Sequence, residues 1–201
     1  MIYIVDYELG NLGSIKNMLK WIGIKSEITS DISKLEKADK IILPGVGSFD
    51  RAIKNIQKKG IYEVLEKKAL KDKIPFLGIC LGMQIMTSKS DEGLLKGFNW
   101  IEAETVKFNI SDKKLKIPHM GWNYVKNYSD ADKYFLSNSK FYFVHSYFVK
   151  VKNPDFKFLE TEYGGIHFDA GFKKENIIGV QFHPEKSHKY GIEFFKNFSQ
   201  I

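Results

Sequence analysis

The chain has 201 residues, 43% of them hydrophobic, which is enough to fill one core without calling for a second. Its single cysteine excludes an internal disulfide and any multi-cysteine metal site, leaving either a buried filler or a reactive thiol. Lys and Arg number 31 against 24 acidic residues, a formal charge of +7, but pairs such as Lys58-Lys59, Lys67-Lys68 and Lys113-Lys114 are scattered like solvated faces, without the stripe of a nucleic-acid footprint.

The opening MIYIVDYELG carries Asp6 and Glu8 where a secretory leader needs a basic start and a long apolar run. No apolar stretch of about 18 residues follows, so we expect a soluble, cytoplasmic chain with no membrane contact. Ile2 to Val5 reads as a buried strand. After a turn at Gly10-Asn11-Leu12-Gly13, residues Ile15, Met18, Leu19 and Ile22 recur at helical spacing. Lys40 to Leu43 is a second apolar run ending in Pro44-Gly45. Ala52, Ile53 and Ile56 then mark a helix face, and Phe76 to Ile79 leads into Cys80. Strands alternating with helices predict an α/β fold whose mostly parallel central sheet is flanked by helices.

From about Glu104 the texture changes to short β-like runs at Asn123 to Lys126, Phe141 to Val149, Phe156 to Thr161 and Ile177 to Phe182, which suggest added antiparallel strands. Phe194, Phe195, Phe198 and Ile201 form the apolar stripe of a closing helix. With no internal repeat or long linker, one domain over 1–201 is expected.

Gly78-Ile79-Cys80-Leu81-Gly82 sets the cysteine between two glycines where an apolar run gives way to a helical segment. Small flanking residues permit the strained turn of a nucleophile elbow, and the N–H of Leu81 then points where an oxyanion would form. A structural buried cysteine is the competing reading. The second element is Gly179-Val180-Gln181-Phe182-His183-Pro184-Glu185-Lys186-Ser187. In extended conformation residues i and i+2 lie on one side about 6.6 Å apart, so Glu185 can fix the His183 tautomer and leave the other ring nitrogen to take a proton from a thiol. Taken alone, His183 would pass for a loop histidine. Both Cys80 and His183 end sheet-like runs, and open α/β sheets gather their sites at the carboxyl ends of strands. The third element, Pro44-Gly45-Val46-Gly47-Ser48-Phe49, is either a plain strand-to-helix turn or the source of a second oxyanion N–H near Val46 and Gly47.

Through PGVGSF at 44–49, GICLGMQ at 78–84 and GVQFHPEKS at 179–187 the sequence resembles the class I, triad-type glutamine amidotransferases. Within them it is most similar to the glutaminase subunits of imidazole glycerol phosphate synthases, through DYELGNLGS at 6–14, IPHMGWN at 117–123 and YFVHSY at 142–147. The likeness runs from Ile2 to Phe198. It implies Cys80 as nucleophile, His183 as general base and then acid, and Glu185 as its orienter. It also implies glutamine held by Gly45, Gln84, His145, Ser146 and Tyr147, and His119, Trp122, Asn123, Tyr142 and Lys186 near a partner and an ammonia exit. Trp122 and Tyr142 could equally be core packing, and Lys186 a surface charge.

The implied partner is a (β/α)₈ cyclase subunit in a heterodimer serving histidine biosynthesis, and the chemistry requires no metal or organic cofactor. Two alternatives stay open: a similar glutaminase feeding a nucleotide-sugar amidotransferase, and a cysteine peptidase or γ-glutamyl hydrolase, against which Gln84 and the HPEKS run argue. The excess positive charge would suit an acidic partner face.

Overall fold

The computed structural model describes residues 1–109, 115–128 and 139–201. Along the first half run β1 (Ile2–Val5), α1 (Leu12–Trp21), β2 (Ser26–Thr29), α2 (Ile32–Glu36), β3 (Lys40–Gly45), α3 (Phe49–Lys58), α4 (Tyr62–Glu66), β4 (Phe76–Cys80) and α5 (Leu81–Gln84). The second half holds β5 (Ala103–Lys107), β6 (His119–Tyr124), β7 (Lys126–Asn127), β8 (Lys140–His145), β9 (Tyr147–Val151), β10 (Lys157–Tyr163), β11 (Ile166–Lys174), β12 (Ile177–Val180) and α6 (His188–Gln200).

The principal sheet has the order β2-β1-β3-β4-β12-β11-β10-β7. Its first five strands pair parallel, and from β12 to β11 the pairing turns antiparallel. A branch leaves β11 through β9 to β5, while β6 and β8 form a separate antiparallel pair. This is the expected mostly parallel sheet with antiparallel additions, covered by helices on both faces.

Side-chain alternation along β1 explains the two-sided core. Tyr3 and Val5 join Phe49, Ile53 and Leu65 on one face, and Ile2 and Ile4 join Ile15, Leu19, Phe194, Phe195 and Phe198 on the other. Among the described residues no helix is long and apolar enough to cross a membrane.

Several expectations are corrected. The run at 177–182 does not belong to the antiparallel additions alone: β12 inserts parallel beside β4, with Val180 opposite Ile79. Phe141 to Val149 is two strands broken at Ser146. Strands β2, β5 and β11 had no separate signal; Ser26–Thr29 and Ala103–Lys107 are short and carry a glutamate each, and Ile166–Lys174 is interrupted by Asp169 and Gly171. The helical stripe docks through its phenylalanines, but Ile201 stays 40% exposed. Lys68 is buried and ion-paired with Asp72 at 3.0 Å instead of solvated. The Lys113-Lys114 pair lies outside the described residues.

Candidate active site

Strand β4 delivers Cys80 to the carboxyl end of the sheet at φ 54° and ψ −109°, a positive φ that a residue with a side chain seldom adopts. The flanking glycines make this turn possible. A Cβ on Gly82 would lie 1.8 Å from the Leu43 carbonyl oxygen, and one on Gly78 2.8 Å from the Gly82 oxygen. The strained elbow expected of the sequence is therefore present, and its strain is enforced by close backbone approach. Gly45, opposite Cys80 in β3, is equally constrained: its Cβ would meet the Tyr7 hydroxyl at 2.2 Å. It packs behind the elbow, against Tyr7, Leu81 and Gly82, and does not itself line the cavity described below. Burial, reinforced by the charge at Cys80, keeps the Tyr7 phenol far above its ordinary range, so it stays protonated.

His183 follows β12 and is tied down on every side. Its N–H donates to the Tyr142 carbonyl at 2.9 Å, and its own carbonyl accepts from the Ser187 hydroxyl at 2.6 Å. The same hydroxyl accepts from the Tyr142 N–H at 3.0 Å, clamping β8 to this segment. His183 Nδ1 meets Glu185 Oε1 at 2.8 Å, both residues being buried. The contact does not arise from the extended i, i+2 geometry anticipated for it: Pro184–Lys186 is one turn of 3₁₀ helix, and that turn swings the carboxylate back onto the ring. His183 Nε2 is buried without a hydrogen-bond partner among the described residues, and Cys80 is its electrostatic neighbour. Burial alone would lower the pKa of this imidazole. The charges of Cys80 and Glu185 and the hydrogen bond to Glu185 outweigh burial and raise it well above its ordinary value, so the imidazolium form is favoured.

Cys80 opens into a cavity of about 270 Å³ whose walls include Val46, Gly47, Leu81 and Gln84 on one side and His145, Ser146 and Tyr147 on the other. Three further wall residues, Glu92, Pro118 and Val144, were not anticipated. Glu92 reaches the wall because Asp50, at the start of α3, accepts the N–H groups of Leu94 and Leu95 at 3.1 and 3.0 Å, while Glu92 itself accepts from the Phe49 N–H at 2.9 Å. Partial burial raises its carboxyl above the ordinary range. In sequence, Asp91-Glu92-Gly93 looks like any surface turn, and only the fold brings it here.

Behind the cavity wall the polar side chains are linked. Gln84 Nε2 donates to the Tyr147 carbonyl and to Gln181 Oε1, both at 3.0 Å, and Gln181 Nε2 lies 3.5 Å from the Cys80 sulfur. His145 Nδ1 lies 2.8 Å from the Tyr147 carbonyl, and its Nε2 lies 3.0 Å from His119 Nδ1. Burial depresses His145 to about 3 and His119 to about 4, so both rings are neutral near pH 7.

The residues anticipated near a partner separate into two groups. Trp122, Tyr142 and Lys186 come together at the surface, with Trp122 stacked on His188 at 5.5 Å and Lys186 Nζ 5.6 Å from the Tyr142 ring centre. The outward face of β6 adds Met120 and Tyr124, both more exposed than Trp122. His119 instead points inward, buried on Phe143 and Tyr163, and Asn123 Nδ2 donates to the Glu162 carbonyl at 2.7 Å.

The pattern of the family "Glutamine amidotransferase class-I" matches residues 3–200. The chain is 51% identical over 201 residues to imidazole glycerol phosphate synthase subunit HisH 2 of Methanococcus maripaludis, covering 98% of each chain. It is 42% identical over 205 residues, covering the whole of each, to imidazole glycerol phosphate synthase subunit HisH 2 of Pseudomonas aeruginosa. Among solved structures, PurLQS of Thermotoga maritima superposes with a TM-score of 0.73 at 19% identity, covering 99% of this chain and 97% of that one, a likeness of fold. The family pattern covers residues 3–200 and both relatives match essentially end to end, so the chain belongs to the class I glutamine amidotransferases.

Proposed function

We propose that residues 1–201 form a single glutaminase domain, the ammonia-producing subunit of an imidazole glycerol phosphate synthase. The Cys80 thiolate attacks the side-chain amide carbon of glutamine. The N–H of Leu81 and an N–H in the Val46-Gly47 turn hold the oxyanion. His183, oriented by Glu185, protonates the departing ammonia, then activates the water that hydrolyses the thioester to glutamate. Gln84, His145, Ser146 and Tyr147 bind the substrate, and the Glu92 carboxylate receives its α-ammonium group.

Ammonia released into water near pH 7 is protonated and loses its nucleophilicity, so the product must pass to a docked acceptor enzyme. The surface group of Trp122, Tyr142 and Lys186 is the side on which a cyclase subunit would dock to form the heterodimer. One observation carries this reading: a strained cysteine sits beside a buried His183–Glu185 pair at a cavity, in a chain whose end-to-end relatives bear the name of that synthase. The test is Cys80→Ala in complex with the cyclase. Glutamine-dependent product formation is expected to vanish while formation from added ammonium salt persists; loss of both would make Cys80 a structural residue.

A further inference from the structure

Gln181 is fully buried, and it sits next to Cys80 because of register. Strands β12 and β4 pair parallel with Val180 opposite Ile79, so the next residue of each lies side by side at the carboxyl edge of the sheet. The orientation of its amide is not free. A carbonyl oxygen only accepts, so the group that Gln84 turns toward the Tyr147 carbonyl is its nitrogen. The same nitrogen spends its second N–H on Gln181, which must therefore present Oε1 to Gln84 and Nε2 to the sulfur. A flipped Gln181 would set an N–H against an N–H and a carbonyl oxygen against the sulfur. The neutral His145, whose Nδ1–H also faces the Tyr147 carbonyl, anchors the far end of this chain.

We propose that Gln181 is a catalytic hydrogen-bond donor to the Cys80 sulfur, locked in that role by Gln84, and that it favours the thiolate over the thiol. The inference rests on reading Cys80 as the nucleophile. A buried amide beside a sulfur lowers the free energy of the anion and does nothing comparable for a neutral thiol, whose S–H is the weaker partner. The other titratable groups facing the sulfur are His183 and, through it, Glu185 from the segment after β12, and the Tyr7 hydroxyl from the segment after β1. Gln181 does not titrate and keeps its strength at every pH, whereas the Tyr7 hydroxyl makes no hydrogen bond among the described residues.

The experiment is the pH dependence of Cys80 alkylation by iodoacetamide, measured on the whole chain without glutamine. Wild type, Gln181→Met and Gln181→Glu are compared, with thermal unfolding to check that each is folded. Loss of a hydrogen bond to a charged group corresponds to a rise of about one to two pH units in the alkylation midpoint. We expect that rise in Gln181→Met and a larger one in Gln181→Glu, whose carboxylate both removes the donor and repels the thiolate. An unchanged midpoint in folded variants, whatever happens to turnover, overturns the assignment. If the buried substitutions unfold the chain, Gln84→Met reads the same quantity by releasing Gln181 from its fixed orientation, and an unshifted midpoint there overturns it equally. Wild-type Cys80 that does not alkylate at all would instead remove the nucleophile, a failure distinct from a reactive thiol that ignores Gln181.

Discussion

The two halves of the sheet build their sides of the site by opposite means. On the parallel side Cys80 is held by what cannot be larger: Gly45, Gly78 and Gly82 approach neighbouring atoms so closely that one added carbon has no room. On the antiparallel side the walls are held by what fills space. Phe108 lies within 6.4 Å, centre to centre, of His119, His145, Phe148, Tyr163 and Phe168, and Phe141 stacks on Phe182 at 3.8 Å. A backbone crossing tolerates no change, whereas an aromatic cluster relaxes partly around one. Strain belongs where the nucleophile must be presented, and adaptable packing where a substrate and a partner must be accommodated.

The largest expected effect tests whether chemistry divides between the halves at all. His183→Ala should lower glutaminase kcat by about 10⁵- to 10⁶-fold, whereas Glu185→Gln, which keeps the ring supported, should cost about 10⁴-fold. Steady-state glutamate release by the complex measures both. Equal losses would give the carboxylate more than an orienting part, and a wild-type rate in Glu185→Gln would remove it from the reaction.

Next comes the packing contrast itself. Gly82→Ala should destabilise the chain by about 3 kcal/mol or more, since neither the Leu43 carbonyl nor the elbow can retreat. Phe168→Leu, on the aromatic side, should cost only about 1 to 2 kcal/mol. Urea unfolding of both variants decides: similar losses would erase the distinction drawn between the halves.

A pH titration sharpens it further. His119 and His145 have folded pKa values depressed to about 4 and about 3, below the ordinary 6.5, so the unfolded chain binds protons that the folded chain refuses. Stability contributed by their neutral forms is complete above pH 6.5 and falls as the pH drops from there toward 4. Each ring adds a slope of at most about 1.4 kcal/mol per pH unit. Denaturant midpoints taken through this window should show that fall, and His119→Gln should remove about one proton from the slope. A flat profile would mean that these rings are not held neutral.

The smallest effect on the isolated chain is expected at the surface. Trp122→Ala loses a stack on His188 and an edge contact with Tyr142, both at the surface, so its stability should change by no more than about 0.5 kcal/mol. Association with the cyclase subunit should nonetheless weaken by at least about 10-fold, as truncation of an exposed aromatic anchor does. Calorimetric titration reads the affinity, and an unaltered Kd would move the docking face elsewhere.

Elements with a local signature are legible in the amino-acid order alone. Apolar runs mark β1, β3 and β4, helical spacing marks α1, α3 and the phenylalanine face of α6, and the two glycines around Cys80 mark its strained turn. Such signals are local because a period of 2 or 3.6 residues, or the absence of a Cβ, acts on the chain's nearest neighbours. Strand order, register and loop approach are decided by burial of the whole core, which leaves no local trace. Only the tertiary structure set β12 parallel beside β4 and thereby brought Gln181 to the sulfur. It also folded the 3₁₀ turn that returns Glu185 to His183, and pulled Glu92 to the cavity through Asp50. Pairing β6 with β8 turned His119 inward onto His145 while Trp122, three residues on, faces outward, because alternate side chains of one strand go to opposite sides and only the partner strand decides which side is buried.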